Sequence, residues 1–160
     1  IGHEFTHGFD DQGAQFDAQG RLRDWWTKED LAHFKAASSK LVAQFNAYKP
    51  FPDLAVNGNL TLSENLADLA GMGAAYDAYR GAVGDKADAA SDREFFIGNA
   101  LKNRNKLREP ALRQRILSDG HSPSQYRAAT ARNLDAWYSA FDVKPGQKLY
   151  LAPADRVKVW

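Results

Sequence analysis

The sequence contains no cysteine. That absence excludes disulfide scaffolds, cysteine nucleophiles and thiolate metal sites, and it leaves the redox compartment undetermined. Net charge is almost absent too, because 21 Lys and Arg face 20 Asp and Glu for a formal +1. Such a balance argues against a polyanion-binding footprint, so nucleic acid is not an expected partner, although a local basic patch stays open. Long apolar runs are also missing. The longest stretch without a charged side chain is the ten residues 54–63. A membrane-spanning helix needs about 20 apolar residues, so no membrane segment is expected. Strand signals are weak, and no internal repeat is evident. The chain opens without methionine or a signal-like segment, and residues with chemistry occur by position 3. Residues 1–160 are therefore expected to be the C-terminal part of a longer protein, with any targeting peptide outside them.

What is present suits one compact domain. Hydrophobic residues make up 44% and aromatics 12%, enough for a real core. Leu31, Phe34, Leu41, Phe45 and Tyr48 form a helical stripe. Thr27 and Asp30 resemble a capping box at its start, and Pro50 and Pro52 stop it. A second helix is expected from about Leu62 to Tyr79, ended by Gly81 and Gly84, with a surface loop over 81–92. Ser91 and Glu94 read as the capping box of a third, continued by Phe95, Phe96 and Leu101. Pro110 suits the first helical position of a fourth, with Gly120 beyond its end. Ser122, Pro123 and Gln125 open a short fifth helix, and 134–141 form the last. Residues 12–23 suit turns or a small hairpin, and 143–160 an extended tail. The fold class is mainly α, with little or no β-structure.

His3-Glu4-Phe5-Thr6-His7 is an HExxH sequence. On a helix, His3 and His7 are i and i+4 and share one face, about 5–6 Å apart. Two imidazole nitrogens so placed can reach one zinc at about 2.0–2.1 Å. Glu4 then lies beside the metal, where it can take a proton from a water held there. A catalytic zinc needs a third protein ligand and an open position. His33 reads as a surface residue, and Glu64 is the better candidate. Glu64 and Asp68 are also i and i+4, on a helix that is otherwise mainly apolar. A carboxylate pair on such a face is costly unless positive charge meets it. Asp68 could accept a hydrogen bond from a ligand histidine and fix its tautomer. Alternatively, Thr61-x-x-Glu64 is itself a capping box, and Glu64 only closes its helix.

His3 to Asp11 (HEFTHGFDD), followed by Glu64-Asn65-Leu66-Ala67-Asp68, resembles the catalytic core of the neprilysin family of zinc metallopeptidases. The 56 residues between His7 and Glu64 resemble that family's long spacer and oppose other gluzincin hydrolases. Asp24-Trp25-Trp26-Thr27, His121-Ser122-Pro123 with Arg127, and the closing Val159-Trp160 resemble further family segments in order. The bacterial, cysteine-free branch fits best. The resemblance implies a helical zincin-type subdomain. It implies one zinc per chain on His3, His7 and Glu64, with Glu4 as general base and Asp68 as partner of a ligand histidine. It also implies that His121 and Arg127 stabilise the oxyanion, although Arg127 could instead pair with a structural carboxylate. Endopeptidase action on short peptides follows, in a periplasmic, cell-surface or secreted bacterial enzyme. In the family, a substrate-binding strand and a helical domain precede HExxH. Residues 1–160 without them are expected to be weakly active or inactive, and to self-associate through surfaces that such a part would cover. The alternative function is a non-catalytic, zinc-binding helical interaction domain.

Two departures stand out. Where the family has ENxADxGG, this chain has Leu69-Ala70-Gly71-Met72, and the small Ala70 is expected to preserve close packing. Where relatives place tryptophans, it has Gly98 to Asn103, which is expected to reshape packing beneath the site.

Overall fold

A computed structural model describes residues 1–159. Trp160, and with it half of the closing dipeptide, lies outside the described residues. Among the described residues seven α-helices are connected by turns: α1 (Gly2–Thr6), α2 (Lys28–Asn46), α3 (Leu62–Val83), α4 (Ala89–Lys102), α5 (Glu109–Ser118), α6 (Ser124–Ala128) and α7 (Asp135–Phe141). No strand occurs among the described residues. There are two isolated antiparallel bridges, Phe16–Leu22 and Phe51–Leu54. The first closes the expected small hairpin, whose turn passes through Gly20 at φ 72°. The mainly α expectation holds.

The stripe on α2 is buried as its spacing requires. Phe34, Leu41 and Phe45 meet Leu66 and Leu69 of α3, together with Val56, Val157 and Val159. Thr27 caps α2, accepting from the Asp30 N–H at 3.1 Å, while its hydroxyl donates to the Asp30 carboxylate at 2.7 Å. The tail is not the simply extended segment expected from its sequence: it turns over 145–149 and forms a 3-10 turn at Pro153–Asp155, and Val157 and Val159 seal the core. A second cluster, Met72, Phe96, Ala131 and Ala140, joins the far half of α3 to α4 and α7.

Several boundaries differ from expectation. The long α3 does not stop at Tyr79. Gly81 lies within it; a single glycine costs a helix only about 1 kcal/mol, too little to end it. The helix ends at Gly84, whose φ of 57° favours glycine. The surface loop therefore shrinks to a few residues. Asp88, not Ser91, caps α4. Its carboxylate accepts from the Ser91 N–H and the Ser91 hydroxyl accepts from the Asp88 N–H, a reciprocal box one turn earlier. Pro110 occupies the second position of α5, where its missing N–H is equally harmless. Ser122 does not cap α6, because its hydroxyl turns inward to Asn65.

The approach of α1 to α3 is what positions the chemistry. A Cβ on Gly71 would lie 2.5 Å from His3 N and 2.8 Å from its Cα. The close packing thus rests on Gly71, and Ala70 leaves it intact. Gly71→Ala is expected to push α1 away. It should destabilise by about 1–3 kcal/mol and weaken metal binding at least tenfold, read by denaturation and by zinc titration. Unchanged values in both would refute the tight approach.

Candidate metal centre

The five-residue α1 carries His3, and His7 is its C-cap residue, still right-handed helical at φ −59° and ψ −21°. The i, i+4 relation survives, and the two rings lie 4.8 Å apart edge to face. Each ring is held from behind. His3 Nδ1 lies 3.0 Å from Asp68 Oδ1, and His7 Nδ1 lies 2.7 Å from Asp10 Oδ2. A carboxylate only accepts, so each Nδ1 carries the proton and each Nε2 presents a lone pair. Those two Nε2 atoms face each other at 3.2 Å.

Glu64, in the first turn of α3, completes the group. Its Oε2 lies 3.3 Å from His3 Nε2 and its Oε1 lies 3.6 Å from His7 Nε2. Donor atoms of His3, His7 and Glu64 all lie within 4.8 Å of one another. Glu64 Oε2 is buried without a hydrogen bond of proper geometry. Two opposed lone pairs beside an orphaned carboxylate oxygen are unfavourable without a cation between them. Two neutral imidazoles and one carboxylate, leaving a position open, also suit catalytic zinc. The residues present therefore fit the metal.

The capping alternative for Glu64 fails locally. Thr61 makes no side-chain cap bond; its hydroxyl donates to Asn57 O at 3.1 Å and accepts from Asn65 Nδ2 at 2.9 Å. Asn65 then accepts from the Ser122 hydroxyl at 2.9 Å. This buried chain ties α3 to the segment that bears His121 and Arg127. His121 Nε2 comes within 3.1 Å of Glu64 Oε2. Arg127 clasps Asp68 with two bonds of 2.7 and 2.8 Å, and its Nη2 lies 3.6 Å from Glu64 Oε2. Arg127 thus does pair with a carboxylate, but that carboxylate belongs to the cluster. Glu4 is exposed, with no side-chain hydrogen bond to a described residue. His33 is exposed on α2 and stands outside the group.

The electrostatics follow from these contacts. The hydrogen bond that His7 donates to Asp10 raises the His7 pKa against the effect of burial, and the Glu64 charge adds to the rise. Burial pushes the Asp10 carboxyl up, but bonds from Ser63, His7 and the Gly13 and Gln12 N–H groups outweigh it and hold the value low. Asp68 raises the Arg127 pKa against burial, so the guanidinium stays charged. Asp119 is likewise disfavoured by burial, yet the backbone and ring of His121, with Arg115, bring it to about 2.

Sequence reasoning gave no site role to Asp10, Asp119 or Asn65, and placed Ser122 only at a helix start. Asp10 fixes His7, and Asp119 fixes His121 through Nδ1 at 2.8 Å. The His7-x-x-Asp10 and Asp119-x-His121 spacings were the available signals.

Comparisons with known proteins identify the family. The family model described as Peptidase family M13 matches residues 1–157. The neutral endopeptidase of Lactobacillus helveticus is 35% identical over 161 residues, covering 100% of this chain and 24% of its own length. That of Lactococcus lactis subsp. cremoris is 37% identical over 162 residues, covering 100% and 25%. Among solved structures, the Mycobacterium tuberculosis zinc metalloprotease Zmp1 in complex with inhibitor superposes with a TM-score of 0.95 at 39% identity, over 99% of this chain and 26% of that one. The chain thus spans about a quarter of the length of the curated relatives it matches. With a family model that covers nearly every residue and relatives that align from end to end, the chain belongs to peptidase family M13, the neprilysin family.

Proposed function

We propose that this chain carries the zinc site and catalytic groups of a metalloendopeptidase that hydrolyses peptide bonds in short peptides. The observation that supports this most directly is the convergence of His3, His7 and Glu64 donor atoms within 4.8 Å. Those three residues would hold the metal. Zinc bound there would polarise the scissile carbonyl and acidify a water. Glu4, unencumbered beside His3, accepts the proton of the attacking water and delivers it to the leaving amine. Asp68 and Asp10 keep the ligand histidines oriented with Nε2 unprotonated. His121 Nε2 and the Arg127 guanidinium supply donors at the edge of the cluster, where the carbonyl oxygen gains negative charge. Asp119 and the Asn65–Ser122 bond hold that edge in place.

Relatives about four times longer bring further chain to the substrate, and positioning contributes several kcal/mol of barrier reduction. Residues 1–160 alone are therefore expected to hydrolyse peptides weakly or not at all. The non-catalytic alternative would need no carboxylate at position 4 and a fourth ligand. His121, the nearest further donor, stands outside the convergent set.

The test is elemental analysis of zinc after dialysis at neutral pH. About one zinc per chain is expected, as for a three-ligand catalytic site, and almost none in Glu64→Ala. Failure of the unsubstituted protein to retain zinc after metal is added back overturns the reading. Peptide hydrolysis by the full-length protein then tests catalysis.

A further inference from the structure

The metal-binding cluster is flanked by two cavities that meet along the end of α4, the larger of them also walled by the segment that follows it. The smaller, about 270 Å³, lies against His3, Asp68 and Arg127 and is closed by Met72, Phe95, Asn99 and Lys102. The larger, about 570 Å³, lies against His121 and is bordered by Arg104 and Lys106. A cavity that includes His3 and Arg127 lies beside the reacting bond, and its volume suits one side chain.

The charges along this stretch are unusual for a chain with a net charge of +1. Lys102, Arg104, Lys106 and Arg108 recur at every second position. Arg113, Arg115 and Arg127 all have carboxylate partners. The side chains of these four make no ion pair or hydrogen bond among the described residues. The one carboxylate facing the smaller cavity, Asp68, is already committed to His3 and Arg127. Asn99 adds a buried Nδ2 donor with no partner. Unused cations and an unused donor above an apolar floor call for a ligand that brings acceptor oxygens and negative charge.

Resting on the zinc-peptidase reading, we propose that the smaller cavity is a specificity subsite for a carboxylate, and that Lys102 is its main determinant. The substrate class is acidic peptides, with Arg104 and Lys106 extending the same preference past His121. The carboxylate can come from an Asp or Glu side chain or from the peptide's C-terminus.

The experiment uses the zinc-loaded, full-length Glu4→Gln protein, so that binding is read without turnover. Fluorescence anisotropy compares one short, amidated peptide carrying Glu, Gln, Leu or Lys at each position in turn. A separate arm has Gln throughout and a free terminal carboxylate. Glu at one position, or the free terminus, is expected to bind about tenfold tighter than its neutral counterpart, as for a charge-assisted bond. The arm that shows the gain identifies the source. The advantage should vanish in Lys102→Ala and invert towards Lys in Lys102→Glu; Lys102 is exposed, so neither variant threatens the fold. Leu or Gln binding as tightly as Glu in every arm overturns the proposal. So does a Glu advantage that Lys102→Ala leaves intact, or no measurable binding of any peptide. Zinc content, measured alongside, separates the two ideas: loss of zinc overturns the peptidase reading, while retained zinc without carboxylate preference overturns only this one.

Discussion

Replacing Glu4 by glutamine is expected to lower kcat/KM of the zinc-loaded, full-length protein by about 10³-fold, in the range found when a general base is removed. Zinc content should not change, because Glu4 is not among the convergent donors. Stability should stay within about 0.5 kcal/mol, as for an exposed side chain without partners. Glutamine keeps the shape of glutamate and loses only its capacity to accept a proton. The measurement is therefore a steady-state assay paired with metal analysis on one preparation. Hydrolysis at the original rate removes Glu4 from the chemistry and favours the interaction-domain alternative.

Asp68→Ala should have the largest effect on the architecture. The carboxylate is 9% exposed and accepts from His3 Nδ1 and twice from Arg127. Its removal leaves a half-buried guanidinium without its partner, a change that costs about 3–5 kcal/mol. It also frees the His3 ring to rotate or change tautomer, which typically lowers metal affinity about 10–100-fold. Urea denaturation and competitive zinc titration read the two effects separately. Asp68→Asn, which preserves the shape, should fold better than alanine and still bind zinc less tightly than the natural protein. A titration that shows no loss of affinity in either variant would reduce Asp68 to a structural anchor for Arg127.

Local patterns were legible in the sequence, and tertiary ones were not. HExxH declares its geometry because i and i+4 meet on any helix, and the α2 stripe declares its buried face for the same reason. The status of Glu64 could not be decided from Thr61-x-x-Glu64, since capping and ligation use the same spacing. The capping reading falls because Asn57 and Asn65 engage the Thr61 hydroxyl instead. The start of α4 was misplaced because Asp88 and Ser91 are both good caps three residues apart, and the box forms between them. Gly81 looked like a terminator, yet the positive φ that ends the helix occurs only at Gly84, and one interior glycine costs only about 1 kcal/mol. The inward turn of Ser122 depends on Asn65, 57 positions away. Periodicity carries no information at that range.

His3 on α1 and Glu64 on α3 stand together because the two helices approach closely at Gly71, where an added Cβ would lie 2.5 Å from His3 N. The proposed ligands therefore become a set only after these distant parts of the chain have docked. An ion held by them would clasp position 3 to position 64. Binding energy that in a rigid site would appear only as affinity is here shared with the ordering of α1. Amide hydrogens of residues 2–7 should therefore report metal occupancy through their exchange rates, while those of Leu41 and Phe45 in the core barely respond. The α1–α3 contact at Gly71 would then act as a latch, with the ion as its bolt.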